Sequence, residues 1–223
     1  MKNILFVIAA FSIFFAGCAS MSNQGKGTAI GAGAGAALGA LIFKNNAAGA
    51  LIGAAIGGAA GNQIGKKMDR QAEALKQAVP EAQVERVGEG INVTFDSELL
   101  FEKGKSSLSD DGKTTINKVS KVFAEYPDTY IVVEGHTSAD PKLASKANED
   151  ANMKLSEDRA KAVGSIMKNS GVSNERVVEK WHGGGLPKFP NDSPENMAKN
   201  RRVEVAVIAN EKMQEEAKAG TLQ

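Results

Sequence analysis

The chain has 223 residues, with 27 lysines and arginines against 26 aspartates and glutamates. Balanced charge argues against a nucleic-acid partner, which needs a basic excess. The length admits one ordinary domain and a further segment, and that segment lies at the N-terminus.

Residues 1–17, MKNILFVIAAFSIFFAG, place one cation, Lys2, before an uncharged apolar run that ends in small residues. This layout predicts a secretory signal peptide. The single cysteine, Cys18, follows directly. A lone cysteine in an exported chain has no disulfide partner, so a chance thiol is a weak explanation. The run FAGC resembles the lipobox of bacterial lipoproteins, with Phe15 where leucine is commonest. The resemblance implies cleavage before Cys18 and its acylation, each buried CH₂ adding about 0.8 kcal/mol of membrane affinity. Ala19, rather than an aspartate, then implies transfer to the outer membrane. The same resemblance makes residues 18–26 a lipid-anchored linker.

From residue 27 to 65 glycines recur every fourth position, at 27, 31, 35 and 39 and again at 49, 53, 57, 61 and 65. A flexible linker lacks this period and the apolar clusters at 41–43 and 51–52. Spacing of four aligns small residues on one helix face and lets two backbones approach closely. The pattern predicts a helical hairpin that turns at Lys44–Asn46, and it resembles glycine-zipper segments of bacterial envelope proteins. Each run gives roughly 25–28 Å of helix, near the lower limit for spanning a bilayer. Gly and Ala are weakly apolar, so two readings stay open: a membrane hairpin or a self-associating periplasmic one. The spacing also allows a homo-oligomer through residues 27–65.

Residues 66–80 read as a polar, solvated linker helix ended by Pro80. A globular pattern then runs over 81–209. Gly88 and Gly90 separate two β-rich runs, a predicted hairpin. Ser109-Asp110-Asp111 opens a helix with acid at its positive end. The run at 130–134, aromatic and β-branched, is a strand that leads into the polar loop GHTSADP. A helix covers at least Leu155 to Asn169 and is ended by Gly171. On its wheel Arg159 lies about 40° from Leu155, inside the apolar arc between Ile166 and Val163. Either its stem packs while the guanidinium reaches water, or the helix aims it at an anion. Strands at 176–181 and around Val203–Val207 complete the pattern, and the tail, 210–223, reads as a polar helix or disorder. The expected fold is an α/β (α+β) sandwich: a mixed β-sheet covered by two helices, preceded by the glycine-zipper hairpin.

The runs VTFDSELLF, VEGHTSAD, NMKLSEDRAKAV, GGGLP and NRRVEV, in this order, resemble the OmpA-like peptidoglycan-binding domain over residues 81–208. With the lipobox and glycine repeat ahead of it, the whole chain looks like the YiaD type of outer-membrane lipoprotein. The resemblance implies non-covalent binding of the diaminopimelate in peptidoglycan stem peptides, which presents a carboxylate and an ammonium together. Arg159 matches the family's carboxylate-binding arginine, and a guanidinium fork suits that partner. Asn152, and the backbone near Leu155 and Ser156, match its hydrogen-bonding rim; Arg201 supports the pocket, and Arg202 faces solvent. The family's ammonium-holding aspartate is here Ser138, which carries no charge, and the loop is longer by six residues. Asp140 is the expected substitute, with Glu149 or Asp150 as alternatives if the helix extends backward.

His136 and His182, with Asp140, invite a metal or hydrolase reading. Neither a third strong ligand at motif spacing nor a nucleophile–base pair accompanies them, so both are read as structural turn residues. The expected activity is binding without catalysis, metal or cofactor. The expected place is the outer membrane, lipid-anchored, with the C-terminal domain in the periplasm and tethered to peptidoglycan. A scaffold or pore component assembled through the glycine segment is the competing expectation.

Overall fold

The computed structural model describes residues 58–222. The signal peptide, Cys18 with its linker, and residues 27–57 of the expected hairpin lie outside these described residues. The chain is followed from helix α1 (Gly58–Ala78) into the hairpin β1 (Gln83–Val87) and β2 (Gly90–Asp96), joined across Gly88 and Glu89 as the glycines predict. A single turn, α2 (Ser97–Leu100), leads to α3 (Asp110–Glu125), whose N-cap Ser109 accepts from the Gly112 N–H at 3.0 Å. Then come β3 (Thr129–Gly135), α4 (Lys146–Asn169), β4 (Val177–Trp181), α5 (Pro194–Asn200), β5 (Arg202–Ala209) and α6 (Glu211–Ala219).

The five strands form one mixed sheet in the order β1-β2-β5-β3-β4. All neighbours are antiparallel except β3 and β4, which run parallel and take α4 as their crossover. Side chains alternate between the two faces. Ile131 and Val133 of β3, with Val203, Val205 and Val207 of β5, enter the main core beneath the helices. Val132, Ala206 and Ile208 face the other way and form a small second apolar cluster.

Among the described residues five helices, α1, α2, α3, α4 and α6, rather than the expected two, contribute to the main core. The stretch read as a solvated linker is the most marked difference. In α1, Ile64, Met68, Ala72 and Leu75 are buried at spacings of three and four, and Val79 follows them. Asp69, Arg70, Glu73 and Lys76 occupy its exposed face. Gly61 of α1 sits against the Glu89 side chain, and the Gly65 carbonyl accepts from Arg86. The last two glycines of the repeat thus pack on the domain's own hairpin. The tail forms α6, which docks against α1 through the buried Met213 and Ala217. Leu75→Ala should therefore cost about 2–5 kcal/mol in urea denaturation, where a solvated spacer would lose almost nothing.

Candidate functional site

The carboxyl ends of β2, β3 and β4 and the amino end of β5 meet at one end of the sheet. Asp96 pairs with Arg202, and Gly135 pairs with both Val203 and Trp181. The residues that continue from each strand, among them Ser97, Ser138, Gly183 and Arg201, are gathered there as a result.

The first half of α4 lies against this end. Its N-cap is Ser145, so the helix begins well before the expected Leu155 and does extend backward through Glu149 and Asp150. Asn152, Leu155 and Ser156 consequently lie two to three turns inside it, where the 155 and 156 N–H groups are satisfied along the helix. Asn152 and Leu155 are half-buried, and Ser156 is fully buried. The Ser156 hydroxyl donates to the Met153 carbonyl at 2.8 Å and accepts from the Gly183 N–H at 2.9 Å. The Thr137 N–H in turn donates to the Gly183 carbonyl at 2.8 Å. Gly183 has φ +51° and rests on the Asn152–Met153 backbone, while Gly184 touches Ala139. The triple-glycine turn is therefore the hub that joins the Ser138 loop to α4.

Arg159 is 3% exposed. Its Nε donates to the Lys105 carbonyl at 3.0 Å and one terminal nitrogen donates to Ser97 Oγ at 3.2 Å. The guanidinium lies 5.1 Å from the centre of the Phe101 ring. Both hydrogen-bond acceptors are neutral, and among the described residues no carboxylate comes within ion-pair distance of it. Burial, and then the neighbouring Arg201 charge, push the Arg159 pKa down. Arg201 is half-buried and meets the exposed Glu98 at 3.3 Å. The site thus holds two adjacent arginines, the inner one without an anionic partner. Ser97, Phe101 and Lys105 were not legible as its supports in the sequence, because they come from a different segment and act partly through backbone.

Ser138 is half-buried between the Thr137 and Ala139 contacts. Asp140 is also half-buried and caps a short 3₁₀ turn, Pro141–Leu143, by accepting from the Lys142 N–H at 2.9 Å. Glu149 and Asp150 are exposed, and Asp150 pairs with Lys146. The structure thus brings Ser138, Asn152 and Ser156 around the glycine turn and Arg159 beside Arg201. Leu143, Met153 and Leu186 expose large apolar surfaces on the same three segments.

Arg202 differs from expectation: it is buried, not solvent-facing. It opens β5 with its side chain on the face away from the helices, where Glu204 accepts from its Nε at 2.6 Å. Asn200, fully buried, accepts from the Lys188 and Phe189 N–H groups and donates to the Phe189 carbonyl, which pins the segment after the glycine turn. His136 and His182 lie together, ring centres 5.0 Å apart and planes inclined at 27°. Burial pushes the His136 imidazole pKa down, against the upward pull of Glu134.

Residues 100–201 match the OmpA family and residues 1–69 match the YMGG-like Gly-zipper family. The probable lipoprotein YiaD of Escherichia coli is 33% identical over 124 residues, which are 56% of this chain and 54% of YiaD. The peptidoglycan-binding protein ArfA of Mycobacterium bovis is 29% identical over 117 residues, 52% of this chain and 34% of ArfA. The chain thus spans about half the length of one of these relatives and a third of the other. A putative MotB-like protein from Desulfovibrio vulgaris superposes with a TM-score of 0.60 at 20% identity, covering 67% of this chain and 99% of that one. At this identity the likeness speaks for the fold. The OmpA match leaves out α1, β1, β2, β5 and α6, which the structure builds into the same core. The chain carries an OmpA-like domain, preceded by a YMGG-like Gly-zipper segment.

Proposed function

We propose that this chain binds peptidoglycan stem peptides non-covalently and tethers the outer membrane to the cell wall through a lipid on Cys18. The observation that carries the reading is Arg159: a guanidinium held in place by neutral groups, reinforced by Arg201, with no anion of its own among the described residues. Such a group is preorganised for an incoming carboxylate, because its supports fix its orientation without neutralising its charge. Diaminopimelate supplies that carboxylate. Its ammonium is assigned to Asp140, whose second oxygen remains after the Lys142 cap, with Ser138 and Asn152 as hydrogen-bonding neighbours. The relatives support the same direction, since ArfA is named for binding peptidoglycan and YiaD as a probable lipoprotein.

Co-sedimentation of the full chain with purified sacculi tests the site. Parent protein should pellet and free diaminopimelate should release it, whereas Arg159→Ala should remain in the supernatant. Equal pelleting of parent and variant would sink the proposed site.

A second reading, self-association through residues 27–65, is favoured by the period-four glycines and the Gly-zipper match. Gly61 and Gly65 already pack on Glu89 and Arg86, so self-association would draw on the glycines before them. Among the described residues no helix is long and apolar enough to cross a membrane.

A further inference from the structure

Strand alternation puts a second set of side chains on the sheet face away from the helices. There Val132 of β3 is followed by Glu134 and, just past the strand end, His136. Val178 of β4 is followed by Lys180 and His182. On β5, between them and β2, Ile208 and Ala206 give way to Glu204 and Arg202. The apolar cluster on this face therefore becomes a buried polar one toward the candidate site.

Within it, His136 is 2% exposed, and neither of its ring nitrogens has a hydrogen-bond partner. His182 Nε2 is likewise buried without one. Buried imidazole nitrogens left in this state are unfavourable, so a group that satisfies both is strongly selected. Both Nε2 atoms converge on a single oxygen, Glu134 Oε2, at 3.7 Å from His136 and 3.4 Å from His182. These separations are long for N–H···O hydrogen bonds. They match the spacing between two ligand atoms that share one tetrahedral ion, roughly 3.3 Å for bonds of 2.0–2.1 Å. One ligand atom from each of the three residues lies within 4.8 Å of the others.

The geometry points to a divalent transition-metal site of the zinc class, formed by Glu134, His136 and His182. Two imidazoles and one carboxylate suit zinc; magnesium and calcium require all-oxygen shells. The His182 side chain retains 15% exposure, which gives an entry route and leaves a fourth position open to water. Arg202, the nearest arginine on this face, is already engaged by Glu204, so its charge is offset locally. Lys180 lies opposite Glu134 in register and its charge acts on that carboxylate, so the ion and Lys180 compete for Glu134. The third ligand is the one that motif spacing fails to reveal: Glu134 precedes His136 by two residues on one strand face, whereas His182 arrives only through the parallel pairing of β3 and β4. A bound ion clamps the end of β3 to the turn after β4, at the root of the Ser138 loop.

Calorimetric titration of the metal-stripped full chain with zinc chloride tests this, with Cys18→Ser in every arm so that no thiolate competes. The expected result is one ion per chain, no uptake of magnesium, and a rise of several degrees in the unfolding midpoint on zinc addition. His182→Gln, at the partly exposed ligand, should keep the parent circular dichroism yet weaken zinc binding about 100-fold or more and lose the midpoint shift. Glu134→Gln should weaken it in the same direction. Absence of stoichiometric uptake by the parent, or equal uptake by the parent and His182→Gln, overturns the site.

Discussion

Arg159→Met should leave the domain as stable as the parent or more so, and yet release it from sacculi. The guanidinium is 3% exposed, and among the described residues its hydrogen-bond acceptors are the Lys105 carbonyl and the Ser97 hydroxyl. A buried cation without a carboxylate retains its desolvation cost, and Arg201 adds repulsion. Methionine fills a similar volume beside Phe101 and removes the charge, while the two acceptors lose donors worth about 1 kcal/mol each. The opposing contributions place the variant within about 1 kcal/mol of the parent or above it. Binding is different, because the proposed interaction with the carboxylate is removed entirely, and retention should fall about 100-fold or more. Alanine also opens a cavity and so mixes folding with binding. Urea denaturation and sacculus pull-down on the same methionine preparation separate them. A loss of stability well beyond 2 kcal/mol, with retention intact, would make Arg159 a structural residue.

Gly135→Ala should be among the most damaging single-methyl additions in the domain. Gly135 ends β3, where an added Cβ would lie 2.1 Å from the Ser156 carbonyl oxygen and 2.9 Å from its carbonyl carbon. Both are helix backbone, so no side-chain rotation relieves the overlap. Either α4 lifts from the sheet or the end of β3 shifts against β5 and β4, which pair with it on both sides. The cost should be about 3 kcal/mol or more, read as a lowered denaturation midpoint. Because Ser156 also holds Gly183, the same movement displaces the turn behind Ser138. Sacculus binding should therefore fall even at temperatures where the variant remains folded. Unchanged stability would mean that the α4–β3 contact is looser than the structure has it.

The strands and the unusual placement of Arg159 were legible in the sequence for local reasons. The β-branched run before Gly135 has no helical period, and Arg159 stands out because it interrupts an apolar arc. Helix α1 was misread because its charged residues, Lys66, Lys67, Asp69 and Arg70, cluster early and mask the buried row of Ile64, Met68, Ala72 and Leu75. That row is recognisable only when the window starts before residue 66. Arg202 was misassigned for another reason. Its neighbour Arg201 lies just outside β5, and where the strand begins decides which of two adjacent arginines is turned inward. Tertiary convergence was out of reach altogether: Ser97 with Arg159, and Glu134 with His182, meet only once the strand order is known.

That strand order bears on when the domain can exist. The central strand, β5, is also the last of the described strands to be made, and the strands before it are divided by its absence into a hairpin on one side and a β3–α4–β4 unit on the other. Neither half has its main sheet partner until residue 202 has emerged, and the closing contact of α1 with α6 joins the two ends of the described chain. Such long-range pairing is slow and leaves earlier segments without stable alternatives. A chain made N-terminus first thus keeps its described segments open until β5 has emerged, then closes by insertion of a single strand.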